Sequence, residues 1–205
     1  MPLVSTRGGA SASGLGWSAV SGPPPDYGSM VLVQPTSINY SGTSASIVGE
    51  GSVQFSACTE LRLNGVFKSA YDNYVITWRG TTNTSTAVGM RLSSGGTDDT
   101  SSNYTTQLWS SSNTTRSASR STSQNLWTGL TYSYNVQTAA ATYYMYGPYL
   151  AEKTAVRTVT VTDYASATIE DTAGTHGVAS SYDGFNFYLN TNNANGVISV
   201  YGLVS

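Results

Sequence analysis

Leu61-Arg62-Leu63-Asn64-Gly65-Val66-Phe67-Lys68-Ser69-Ala70-Tyr71-Asp72-Asn73-Tyr74-Val75-Ile76-Thr77-Trp78-Arg79 is the stretch whose reading decides the fold. Leu61 and Leu63 alternate with Glu60 and Arg62, and side chains on a strand change face at every residue. Asn64-Gly65 turns the chain, because both residue types tolerate the backbone a tight turn demands. Tyr74, Ile76 and Trp78 then share one face of a second strand. Two such strands, each with one apolar face, predict the centre of a β-sandwich.

The pattern continues on both sides. Short alternating runs separated by turn residues predict strands over 44–48, 51–56, 60–63, 73–80, 87–93, 104–110, 132–138, 141–150, 156–164, 185–190 and 196–203, at the spacing of a sandwich or barrel. Val53 with Phe55, Met90 with Leu92, Tyr132 with Tyr134 and Val136, and Phe185 with Phe187 and Leu189 each make an apolar face. Thr158, Thr160 and Thr162 alternate with Val159 and Val161 as one wet and one dry face. Helical periodicity is missing throughout. The expected class is all-β, an antiparallel, jelly-roll-like sandwich.

Composition narrows what such a domain does. The chain has 205 residues, enough for one well-buried core. Only 10% of them are charged and the formal net charge is −2, with no basic stripe, so nucleic acid is not an expected partner. Cys58 is the only cysteine, which rules out an intrachain disulfide framework. No stretch reads as a secretory leader, and no apolar run approaches the roughly 20 residues of a membrane span. Assembly into a particle released by lysis would carry the chain outside a cell without either.

Residues 1–34 differ from the rest. They are rich in Gly, Ser and Ala and contain Pro23-Pro24-Pro25, a stiff run without backbone donors. The expected division is an extended arm over 1–34 and a sandwich over 35–205. Leu15 and Trp17 are candidate anchors, since a large aromatic in a Gly-rich segment has little of its own chain to pack on. Further along, residues 93–99 and 110–124 read as long polar loops, and 190–195 as a hairpin tip. Loops of that length are commonly functional.

No chemistry-bearing motif emerges. His176 is the only histidine and lacks the surroundings of a nucleophile relay, so it reads as a loop or interface residue. One His and one Cys far apart give no metal spacing. Asp98-Asp99 and Glu170-Asp171 are adjacent pairs; the first suits a solvated turn or a calcium-type loop better than the separated acid and base of a glycoside hydrolase. Tyr132, Tyr134, Tyr143, Tyr144, Tyr146 and Tyr149 cluster within eighteen residues. A Tyr ring offers a sugar an apolar face and a hydroxyl, yet Tyr is equally at home in strands and subunit interfaces.

The segment Arg7-Gly8-Gly9-Ala10-Ser11-Ala12 with Gly14-Leu15-Gly16-Trp17 resembles an N-terminal segment of structural proteins of tailed bacteriophages. Leu61 to Phe67, Tyr71-Asp72-Asn73-Tyr74 and the ending Gly196-Val197-Ile198-Ser199-Val200-Tyr201-Gly202 are similar to a domain of tail-fibre, minor tail and head-fibre proteins. The resemblance implies a non-enzymatic virion protein, attached through Arg7, Leu15 and Trp17, displaying its sandwich outward as a homotrimer. Its partners would be its own copies, another tail or capsid protein, and a host-surface glycan; no cofactor, metal or membrane insertion is implied.

Two functions follow as expectations. The first is a tail fibre or receptor-binding subunit used in host adsorption, its contacts made by Thr97, Asp98, Asp99, Asn113, Arg116, Asn192, Asn193 and Asn195, with Tyr143, Tyr144, Tyr146 and Tyr149 as interface or ligand aromatics. The second is a capsid-decorating, head-fibre or tail-decorating protein without receptor binding. A polysaccharide-degrading enzyme ranks third.

Overall fold

The structure, a computed structural model, describes residues 29–112, 114–133, 138–162, 168–189 and 193–204. Arg7, Leu15 and Trp17, together with the rest of the arm up to residue 28, lie outside the described residues, as do Asn113, Tyr134, Val136 and Asn192. In chain order the strands are β1 (Met30–Leu32), β2 (Ser37–Ser41), β3 (Ser44–Val48), β4 (Ser52–Cys58), β5 (Glu60–Asn64), β6 (Asn73–Thr82), β7 (Thr86–Ser94) and β8 (Thr97–Asp98). They continue as β9 (Tyr104–Ser112), β10 (Thr115–Gln124), β11 (Trp127–Ser133), β12 (Ala139–Tyr146), β13 (Lys153–Thr162), β14 (Thr168–Ala179), β15 (Gly184–Tyr188) and β16 (Ala194–Leu203). Every pairing is antiparallel. The protein is an all-β antiparallel sandwich.

Ten strands form the large sheet, in the order β10-β9-β14-β13-β12-β6-β16-β4-β3 with β1 also pairing β16. Six form the small one, in the order β11-β7-β15-β5-β2 with β8 on β7. The Asn64-Gly65 turn therefore does not close a hairpin. It carries the chain from β5 in the small sheet to β6 in the large one, and Gly65 takes φ +65° where a Cβ would strike the Thr36 side chain. Met30–Leu32, inside the expected arm, is a strand on β16, so the sandwich begins before residue 35.

Inward side chains of both sheets meet in one core. Phe187 is its hub, with Trp78, Phe55 and Tyr143 rings at 5.5, 6.3 and 6.4 Å between centroids. Phe67 links Phe185 at 5.8 Å to Tyr74 at 4.8 Å. Burial raises the Tyr74 hydroxyl to about 12, and it is held by donation to the Lys68 carbonyl at 2.8 Å. Cys58 is buried in this core.

Three sequence readings change. The polar run 110–124 is mostly the hairpin of β9 and β10, a paired strand despite its Ser, Thr and Arg content. Residues 168–179 form β14, a central strand with no apolar run to announce it. On β13 the dry face is the threonine face: Thr158, Thr160 and Thr162 are buried while Val161 is 50% exposed. Val156 and the directly paired Met145, both buried, fix that orientation, since a slip of one residue would turn every side chain over.

Candidate functional site

The carboxylates sort themselves by strand geometry. Glu170 and Asp171 are neighbours on β14 and so point to opposite faces, Glu170 inward and Asp171 outward. Glu170 is raised above the ordinary carboxylate range by burial, opposed by the Tyr132 backbone amide that donates to it at 3.0 Å. Asp98 and Asp99 diverge likewise. Neither adjacent pair brings two carboxylates to one face.

Asp98 is no solvated loop residue. On β8 it accepts from Arg62 Nε at 2.9 Å and Asn186 Nδ2 at 2.8 Å, and Arg91 lies 3.9 Å away. Asp99 accepts from the Tyr182 hydroxyl at 2.6 Å and the Ser101 amide at 2.8 Å, with His176 Nε2 at 3.3 Å. Burial works to raise Asp99, but the bonds from Ser101 and Tyr182 and the nearby His176 hold it lower. His176 itself is fully buried on β14, not in a loop, its ring tilted against that of Tyr104 with centroids 4.3 Å apart. Burial depresses its pKa. These groups tie β8 and the chain around Tyr182 to the sandwich.

The remaining expected contact residues do not converge on one loop cluster. Thr97 is exposed at a two-residue strand closing on Ser94 through Gly95 and Gly96. Asn193 donates its amide to Asn83 Oδ1 at 2.9 Å. Asn195 is spent within the fold, accepting from Ser56 Oγ at 3.1 Å and the Ala57 amide at 2.9 Å. Tyr143 is buried against Thr131, its hydroxyl 2.8 Å from that Oγ1, and Tyr149 packs partly against the core. Only Arg116, Tyr144 and Tyr146 stand on an open surface shared with other candidate contacts.

That surface is the outer face of the large sheet. Six exposed large hydrophobics occupy it: Val161, Ile169, Trp109, Tyr146, Tyr144 and Val197, between 50% and 39% exposed. A soluble sheet face is ordinarily polar where it meets water, so this grouping sets the face apart. Ala140, Thr142, Val159 and Val161 floor a shallow groove of about 520 Å³, bounded by Tyr144 on one side and Arg79 on another.

Registers define the chemistry beside the groove. Arg157 Nε donates to Asp171 Oδ1 at 3.0 Å and Nη2 to Oδ2 at 2.6 Å, a two-pronged fork. Each keeps the other charged: the hydrogen bonds raise Arg157 and lower Asp171. Trp109 lies directly opposite Asp171, and Tyr144 directly opposite Arg157. An ion pair thus sits between two aromatic positions about 16 Å apart, three strand spacings across and two residues along. Sequence reading singled out Tyr144, and Asp171 as one of a carboxylate pair, but not Trp109 or Arg157. Trp109 lies in the run 104–110 read as a strand, but its face was not assigned there, and placing Asp171 required seeing 168–179 as a strand.

Fold and site together define a β-sandwich domain with an aromatic, ion-paired sheet face. No protein-family model matches the chain, and no curated protein matches it. Among solved structures it is similar to peanut lectin in complex with a nine-residue peptide, with 10% identity and a TM-score of 0.40 over 86% of this chain and 98% of the lectin. A protein of unknown function from Shewanella oneidensis MR-1 shares 11% identity at a TM-score of 0.26, over 86% of this chain and 79% of that one. Basic winged bean lectin in complex with Tn-antigen shares 6% at 0.22, over 86% and 99%.

Proposed function

We propose that this chain is a non-catalytic recognition domain that binds glycan on the outer face of its large sheet, and that it serves on a bacteriophage virion in host adsorption. The observation that carries the glycan reading is Trp109 and Tyr144 flanking the Arg157–Asp171 fork. Aromatic faces take the apolar C–H faces of a pyranose, and a charged fork aims donors and acceptors at its hydroxyls. Many weak contacts of this kind become firm when several copies are displayed together. The virion assignment rests on the resemblance of residues 7–17, 61–74 and 196–202 to phage structural proteins.

The test is a glycan array probed with the full chain and with Trp109→Ala and Tyr144→Ala. Binding by the parent that weakens in both variants supports the reading; binding unchanged in both sinks it. A second reading, decoration of a capsid or tail through protein contacts, is favoured by the aliphatic part of the same face, Val161, Ile169 and Val197. Labelling of intact virions with antibody fragments against the sandwich separates them: signal at the distal tail fits adsorption, and signal spread over head or tail shaft fits decoration.

A further inference from the structure

Charge is distributed unevenly over the two sheets. The chain has nine Lys and Arg against eleven Asp and Glu. In the small sheet, Arg62 and Arg91 both face Asp98. On the outward registers of the large sheet stand Arg79, Arg116, Arg120 and Arg157, while Asp171 is the sole carboxylate on those registers among the described residues. Asp171 is consumed by Arg157. Arg79, Arg116 and Arg120 make no ion pair with any described residue. A chain of net negative charge thus turns a cationic, aromatic face outward.

Pairing registers give the spacing. Arg116 and Arg79 lie on one row, through Ser111, Ile169, Val161 and Ala140, about five strand spacings or 24 Å apart. Arg120 and Arg157 lie on another, through Gln107 and Ala173, about 14 Å apart. The floor between them is Ile169, Val161, Ala140 and Ala173 with Trp109 and Tyr144 alongside. Widely spaced cations over an apolar and aromatic floor match a polymer of sugar rings that carries carboxylates at intervals along its length. Duplex DNA, with a charge about every 1.7 Å of axis, would leave most of its phosphates unanswered here.

From this charge complementarity we infer that the ligand of the large-sheet face is an acidic polysaccharide, whose carboxylates are met by Arg79, Arg116 and Arg120 while its rings lie on Trp109 and Tyr144. The inference rests on the glycan reading above and adds the charge of the ligand. It also assigns Arg79 and Arg120, which no loop-centred picture would include.

The experiment is affinity electrophoresis of the full chain at low ionic strength in gels containing hyaluronate, polysialic acid or polygalacturonate. Dextran and carboxyl-reduced polygalacturonate serve as uncharged references, and duplex DNA as a further probe. Expected is retardation by at least one acidic polymer, about tenfold stronger than by the references. It should weaken about threefold in each of Arg79→Gln, Arg116→Gln and Arg120→Gln, vanish in the triple variant, and remain in Lys68→Gln. Equal retardation by an uncharged reference overturns the charge assignment and leaves the glycan reading standing. Retardation by none of the polysaccharides ends both, and tighter binding to DNA overturns the polysaccharide class. If sedimentation shows a stable oligomer of the full chain that Val161→Ser dissociates, the face is a subunit contact and the inference falls.

Discussion

Thr160 on β13 donates its hydroxyl to Thr131 on β11 at 3.1 Å, so a hydrogen bond between two threonines crosses the interior from the large sheet to the small one. Tyr143 reaches the same Thr131 oxygen at 2.8 Å, and both threonines are fully buried. The sheets are therefore joined there by a small polar knot beside the aromatic core. Its members stand in a medium where an unpaired hydroxyl is costly.

Thr131→Val removes the shared partner of Tyr143 and Thr160 and should destabilise the fold by about 1 to 3 kcal/mol. Thr158→Val, one residue pair along the same face, should be neutral or stabilising, because Thr158 Oγ1 has no partner among the described residues. Urea midpoints of the two variants check this. Equal loss in both would mean that the bond between the sheets carries no special weight.

Gly80→Ala should cost about 1 to 3 kcal/mol or more through overpacking. A Cβ there would lie 2.0 Å from the Asn195 carbonyl oxygen and 2.9 Å from Trp78 Nε1. Gly95→Ala has open space and fails only through its φ of +55°. Thermal melts of the pair separate contact from backbone conformation, and a smaller loss at Gly80 than at Gly95 would refute the contact argument.

Acid should weaken the fold through His176. Burial depresses its pKa in the folded state below the ordinary 6.5, so between these values the unfolded chain binds a proton that the folded one refuses. Stability is complete above pH 6.5 and falls as the pH drops towards the folded pKa. His176→Gln should flatten that part of the profile. A melting temperature equally steep in both proteins would place the acid sensitivity elsewhere.

Trp109→Ala and Tyr144→Ala should leave the melting temperature nearly unchanged, since exposed positions commonly shift stability by no more than about 0.5 kcal/mol. Each should weaken glycan binding by about fivefold to tenfold, the worth of one aromatic stacking contact. Asp171→Asn, which removes the negative charge of the fork but keeps its shape, should free Arg157 and tighten the binding of an acidic glycan without altering secondary structure. Calorimetric titration with a glycan identified on the array reads all three.

Period two in 61–79 was enough for the sandwich, because strands buried on one face write that face into their sequence. It failed where burial is polar. β14 reads Thr-Ile-Glu-Asp-Thr-Ala-Gly-Thr-His-Gly, with Glu170 and His176 inside and Ile169 outside, so its hydrophobic pattern is inverted. β13 inverts its threonines and valines in the same way. That inversion helps make the outer face apolar, and so the feature that hid β14 and reversed the reading of β13 also helped to build the candidate site. Loop positions such as Asp98 and Asn195 looked available because sequence cannot show that Arg62, Asn186, Ser56 and the Ala57 amide already engage them.

β10 is exposed along nearly its whole length and on both sides, with Ala118 as its one apolar residue. Beyond its ladder to β9 it is held by the Ser110–Ser117 and Gln107–Ser119 side-chain bonds, and its outer edge pairs with no strand among the described residues. Exposed segments with few buried apolar contacts open first in hydrogen exchange. Arg116 and Arg120 therefore ride on the most loosely anchored strand of the face, and a ligand that engages them must also quiet that strand. Part of the binding energy is spent as lost backbone entropy, so stiffening the β9–β10 hairpin would tighten binding without adding a single contact.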